Sequence, residues 1–138
     1  MPENKANNYF ETIITREGYS MKAVLERQTL DVLIQIIGGD VPHYGVVMTI
    51  DNAGHTTVTS LPSRPGHVHQ EQVLINPVAK AIAPVLQGNA VIVSGMHVNN
   101  ITPNQMKAAL GMANELGERL ATWLTDHPSQ QPEVNFAK

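Results

Sequence analysis

The sequence predicts an α+β domain of two layers, a mostly antiparallel sheet of about six strands with two helices packed on it. Three observations carry this. The first sixty residues break into short β-prone runs separated by turn residues. From about His69 the apolar spacing becomes helical, and one short apolar run separates two helical stretches. Finally, 138 residues that are 42% hydrophobic and only 15% charged can bury one core without disulfides or metals as staples.

Tyr9 to Arg16 and Met21 to Arg27 read as strands on either side of Glu17-Gly18, a hairpin break. Leu30 to Ile37 alternates: Leu30, Val32, Ile34 and Ile36 share one face, and Asp31, Leu33, Gln35 and Ile37 the other. One apolar face and one mixed face suit a strand well inside a sheet. Gly38-Gly39-Asp40 ends it, and His43 to Ile50 is the next strand. Asp51 to Gly54 is turn chemistry, and Thr56 to Ser60 reads as the antiparallel return. These five runs are expected to form an antiparallel meander.

Leu61 to Gly66 is a connection stiffened by two prolines. Val73, Leu74, Val78, Ile82, Val85 and Leu86 then recur at helical spacing between His69 and Leu86. Pro77 and Pro84 each remove a backbone donor, which predicts a kinked helix or two short ones. Ala90 to Ser94 is a short, buried strand. The last helix has the clearest start. Thr102 is the N-cap, Pro103 takes the first helical position, Gln105 completes a capping box, and Ile101 with Met106 forms a hydrophobic staple. Met106, Ala109, Leu110, Ala113, Leu116, Leu120, Trp123 and Leu124 make one apolar stripe, expected to face the core. Residues 9–127 are therefore read as a single domain, between a flexible N-terminus (1–8) and a flexible tail (128–138).

Composition removes several functions. Nine Lys and Arg against twelve Asp and Glu give a net charge of −3, with no basic surplus for nucleic acid. Aromatic residues at 4% also argue against base-stacking platforms. No cysteine is present, so thiolate metal sites and cysteine nucleophiles drop out. The apolar runs fall short of the roughly 20 residues that span a bilayer, and Met1 to Glu11 is polar. A soluble, cytoplasmic protein without membrane contact is expected. Rossmann, Walker and G-x-S-x-G patterns are absent.

Three polar clusters are expected at strand ends. In Gly38-Gly39-Asp40-Val41-Pro42-His43 the glycines let the backbone approach a ligand, or simply bend a connection in which Asp40 bonds its own backbone. Arg64-Pro65-Gly66-His67-Val68-His69 precedes a helix, where free amides and the dipole favour a phosphate or carboxylate. Its other reading is a turn with solvated histidines. In Gly95 to Asn100, His97 and Asn99 share a side if the strand extends that far, as ligand contacts or as satisfied structural residues. Together His43, His67, His69 and His97 also raise a histidine-bound metal, without the spacing of any diagnostic motif.

The order of these clusters resembles a known family. G-G-D-x-P-H-x-G (Gly38 to Gly45), Gly66-His67 before a helix, and G-x-H-V-x-x-I (Gly95 to Ile101) are similar to the prenylated-flavin chaperone family. Its founding member is the D-subunit of bacterial gallate decarboxylase. The likeness runs from about Leu30 to Leu124, and Gly38 to Gly45 is its most specific part. It implies a fold similar to the proteasome-assembly chaperones, which tends to pair into homodimers. It also implies binding of prenylated FMN and its delivery to an apo UbiD-type decarboxylase, with a UbiX-type flavin prenyltransferase as a possible further partner.

The residue chemistry is compatible. Arg64, with amides near Gly66, His67 and His69, suits the dianionic phosphate. Gly38 and Gly39 permit close approach to the ring or ribityl chain, and Asp40 can accept from a ring N–H or hydroxyl. His43 and His97 suit ring carbonyls, with Asn99 beside them, and Val41, Val46 and Met48 offer apolar contact. A carrier needs no catalytic acid, so a binding protein and not an enzyme is expected. Two other readings stay open: an accessory subunit that binds the decarboxylase without cofactor, and a histidine-ligated metalloenzyme.

Overall fold

The computed structural model describes residues 8–62 and 72–137. Strands β1 (Tyr9–Arg16), β2 (Tyr19–Gln28), β3 (Asp31–Gly39), β4 (Val46–Ile50) and β5 (Thr56–Ser60) precede helix α1 (Gln72–Ile82). A 3-10 turn (Ala83–Val85), strand β6 (Ala90–His97) and helix α2 (Pro103–Asp126) follow. Among the described residues the strands form one sheet in the order β1-β2-β3-β6-β4-β5. Every pairing is antiparallel except β3 with β6, which is parallel. The expected α+β architecture is therefore present, and the sheet is mostly antiparallel.

The meander is not. β6 inserts between β3 and β4, so the chain leaving β3 must cross the end of β6 to start β4. The reason lies in composition. Val32, Ile34 and Ile36 of β3 and Ala90 and Ile92 of β6 are all at most 4% exposed. The strands with the most continuous apolar runs take the two central places, as strands covered along their length do. β4 also starts later than expected, because His43 to Gly45 belong to the crossing.

Local chemistry accounts for the rest. β1 and β2 join through Glu17 and Gly18, at φ of 51° and 78°, the two left-handed positions of a tight hairpin turn. α1 contains Pro77 and then tightens into the 3-10 turn at Pro84. That outcome lies between the kinked helix and the two short helices the prolines predict. At α2 the capping box is complete: Gln105 N donates to Thr102 Oγ1 (3.1 Å) and Thr102 N to Gln105 Oε1 (3.0 Å). Gln105 Nε2 also donates to Glu17 O (2.9 Å), and Tyr19 Oη donates to Gln105 O (2.8 Å). The start of α2 is thus fastened to the β1–β2 hairpin. Its far end is held by Arg27, 5% exposed, which donates to His127 O and lies 4.9 Å from the Trp123 ring.

Both helices cover one face of the sheet. Met21, Leu25, Ile34, Ile36 and Ile92 meet Ile75, Val78 and Ile82 of α1 and Met112, Leu116 and Leu120 of α2 in one core cluster. The helices run side by side in the same direction. Val73 and Leu74 face Met106 and Leu110, while Gly117 lies against Val78, where an added Cβ would be 3.1 Å from its Cα. Both helices start at the sheet end where β3 and β6 finish. No helix among the described residues is long and apolar enough to cross a membrane.

Candidate functional site

The parallel register sets Gly38 against Met96 and Gly39 against His97. Two clusters more than fifty residues apart in sequence therefore share one end of the sheet. Residues 40–45 arch over the end of β6, held by backbone bonds from Asp40 N (2.6 Å) and Val41 N (3.2 Å) to His97 O, and from Gly45 N to Ser94 O (2.8 Å). So tight a crossing needs glycines. Gly39 has φ of 78°, and an added Cβ would stand 2.8 Å from the His97 carbonyl carbon. On Gly95 a Cβ would overlap the carbonyl oxygen of His43. Here the glycines serve close backbone packing, in a strand that extends through His97 and not only to Ser94.

The polar side chains at this end bond to nearby backbone and, in one pair, to each other. Asp40 Oδ2 accepts from Asn99 N (2.8 Å), so it bonds the neighbouring loop and not its own backbone. His97 Nε2 pairs with Asn99 Oδ1 (3.0 Å), and His43 Nδ1 pairs with Val41 O (2.9 Å). The structure thus brings Gly38, Gly39, Asp40, His43, His97 and Asn99 together as one rim. Val46 and Met48, expected at a ligand, are 0% and 4% exposed in the core, because they lie on the helix-covered face of β4. Val41 is half exposed at the rim. Arg64, Gly66, His67 and His69 lie outside the described residues. Among the described residues no three His, Asp or Glu side chains gather to hold a metal.

Beside this rim, on the helix-covered side, lies a feature the sequence reading missed. A groove of about 480 Å³ opens between the first turns of the two helices. Val73 and Leu74 of α1 and Met106, Ala109 and Leu110 of α2 wall it, and among the described residues Met96 of β6 and Ile101 also line it. Met106 and Leu110 were expected in the core stripe but are 60% and 50% exposed; Met112, fully buried, takes the core position. A signal existed. Val73 beside Leu74 and Leu110 beside Ala109 widen each apolar stripe past a single core-facing row. A second hollow of about 500 Å³, beside Arg16 and Lys107, is charged, and Arg16 is already paired with Glu115.

The described flanks of residues 63–71 sit at this same end: Ser60 pairs with Val46, and Val73 lines the groove. A two-layer α+β domain with an apolar, ligand-sized groove at the end of its central strands is the class that fold and site define. The family model described as prenylated flavin chaperone LpdD-like domain matches residues 15–125, and the chain belongs to that family. It is 36% identical over 119 residues to Protein LpdD of Lactiplantibacillus plantarum, covering 86% of this chain and 88% of that one. It also aligns with a chain from the crystal structure of a chaperone complex for yeast 20S proteasome assembly. That alignment has 12% identity and a TM-score of 0.42, over 80% of this chain and 97% of the other.

Proposed function

We propose that this protein binds prenylated FMN and hands it to an apo UbiD-type aromatic acid decarboxylase, as a maturation chaperone and not an enzyme. The observation that carries this reading is the groove. Its described lining side chains are all apolar, its volume of about 480 Å³ lies in the range of small-molecule sites, and its Met96 adjoins His97 of the polar rim along the chain. A prenylated flavin has the matching character: a broad apolar ring system, enlarged by the prenyl-derived ring, joined through a hydroxylated chain to a phosphate.

On this reading the ring system lies between Val73, Met106 and Leu110. Asp40, His43, His97 and Asn99 border the more polar ribityl portion, on a backbone that Gly38 and Gly39 allow to pack closely. Arg64, with Gly66, His67 and His69, is assigned to the phosphate from sequence chemistry alone. Nothing in this arrangement requires a covalent link, which suits a carrier that must release its load.

An anaerobic titration with prenylated FMN, with plain FMN as control, tests the reading. Near-stoichiometric binding that favours the prenylated form is expected, followed by transfer of activity to an apo-decarboxylase. Absence of flavin binding, with capture of the decarboxylase retained, would leave only an accessory subunit. Arg64→Ala is expected to weaken both flavins by about tenfold or more, the value of a charge-assisted contact. Its thermal unfolding should match the unchanged protein; a loss of folding would reassign Arg64 to structure.

We also propose a two-fold homodimer. The sheet face away from the helices leaves Ile13, Leu33 and Val91 exposed, at 55%, 39% and 37%. A second copy is an economical cover for such a face and for the sheet edges. Sedimentation equilibrium should give twice the chain mass of 15.0 kDa; a single 15.0 kDa species rejects the dimer.

A further inference from the structure

Ser94 is the anomaly in the core. It lies on β6 with 0% exposure, and its direct neighbours across the sheet are Ile36 and Val46, at 1% and 0%. Its backbone carbonyl accepts from Gly45 N, but its Oγ finds no hydrogen-bond partner. Among the described residues it is the one buried polar side-chain atom left so. A buried hydroxyl without a partner is destabilising, and alanine would fill the same place without that cost. An unpaired donor deep in an apolar wall therefore calls for an acceptor that comes from elsewhere.

The position says from where. Side chains alternate along β6, so Ile92, Ser94 and Met96 share the helix-covered face, and Met96 is the next one outward, about 7 Å along the strand. Met96 is also the β6 residue in the lining of the groove. Its side chain is unbranched and changes rotamer easily. Along this face of β6, Met96 is the one residue between Ser94 and the end of the strand at the groove.

We propose that Ser94 is a ligand contact: Met96 swings aside, the groove deepens, and Ser94 Oγ donates to a ring carbonyl of the bound flavin. This rests on the reading of the groove as the prenylated-flavin site. The chemistry of the ligand edge suits the slot, because the prenyl-derived ring lies next to a ring carbonyl. An apolar edge carrying one acceptor meets an apolar slot holding one donor. The contact fixes which edge of the ring system enters first.

The test is Ser94→Ala in the full chain, titrated anaerobically with prenylated FMN beside the unchanged protein. Binding is expected to weaken by about tenfold, the effect of one buried hydrogen bond. The melting temperature without ligand should hold or rise, since an unpaired hydroxyl has been removed. In the bound state the infrared band of the bonded flavin carbonyl should move to higher wavenumber in S94A. Equal binding with an unmoved band overturns the proposal, and so does weaker binding with a lowered melting temperature, which marks a structural role. If the unchanged protein binds no prenylated FMN, the reading of the groove itself falls, a result separate from any difference between the two proteins.

Discussion

Gly95→Ala is expected to lower the melting temperature by about 10 °C or to prevent folding. The added Cβ would overlap the carbonyl oxygen of His43 and stand 3.0 Å from its Cδ2. Both partners of the collision are backbone, in a central strand on one side and in the arch on the other. Relief requires lifting residues 40–45 away from β6, which breaks the bonds from Gly45 N to Ser94 O and from Asp40 N to His97 O. Overpacking a rigid site costs about 1–3 kcal/mol, and lost backbone bonds add to it. In a domain of this size 3 kcal/mol corresponds to roughly 10 °C. Gly111→Ala supplies the contrast. Its Cβ would meet only the far end of the Arg16 side chain, at 3.2 Å, inside a helix where alanine is favoured over glycine by about 1 kcal/mol. Thermal unfolding by circular dichroism should therefore move in opposite directions for the two. A Gly95→Ala protein that melts with the unchanged one would mean that residues 40–45 do not cross β6 as described.

This contrast also explains what the sequence could tell. Tyr9 to Arg16 and Thr56 to Ser60 form strands over the residues their patterns mark, and α2 starts at the Thr102 box, because hairpin turns and caps are local chemistry. Gly38-Gly39 is readable as a bend for the same reason. What the bend crosses is not readable, since Gly39 meets His97 through strand pairing across more than fifty residues. The same limit left open whether the strand runs on past Ser94 to His97, because Gly95 packs on an arch that only strand pairing brings to it. The groove was hidden differently. Met106 and Leu110 continue the periodicity of the buried stripe, and periodicity cannot say where the covering element ends. Their exposure follows from how α1 and α2 are placed side by side, which only the packing of Gly117 on Val78 and its neighbours fixes.

Leu110→Asp is expected to weaken prenylated FMN binding by about a hundredfold while leaving the fold intact. Leu110 is half exposed, so an aspartate there should lower stability by about 1–2 kcal/mol, from lost half-burial and helix propensity, less than the usual margin of a folded domain. In the complex the new carboxylate would face a ring system across an apolar wall and lose its water without gaining a partner. A hundredfold loss corresponds to about 2.7 kcal/mol, within the usual penalty for such a group. The comparison between ligands carries more than the loss itself. Prenylated and plain FMN share the phosphate and the ribityl chain and differ in the added apolar ring. Arg64→Ala should therefore weaken both alike and preserve their ratio. Leu110→Asp should weaken the prenylated form more and collapse the preference, because the substitution acts where the two ligands differ. Isothermal titration of both flavins against the three proteins reads this directly. If the preference survives Leu110→Asp, the apolar ring is held elsewhere than between α1 and α2. If Arg64→Ala removes the preference instead, the two ends of the ligand have been assigned the wrong way round.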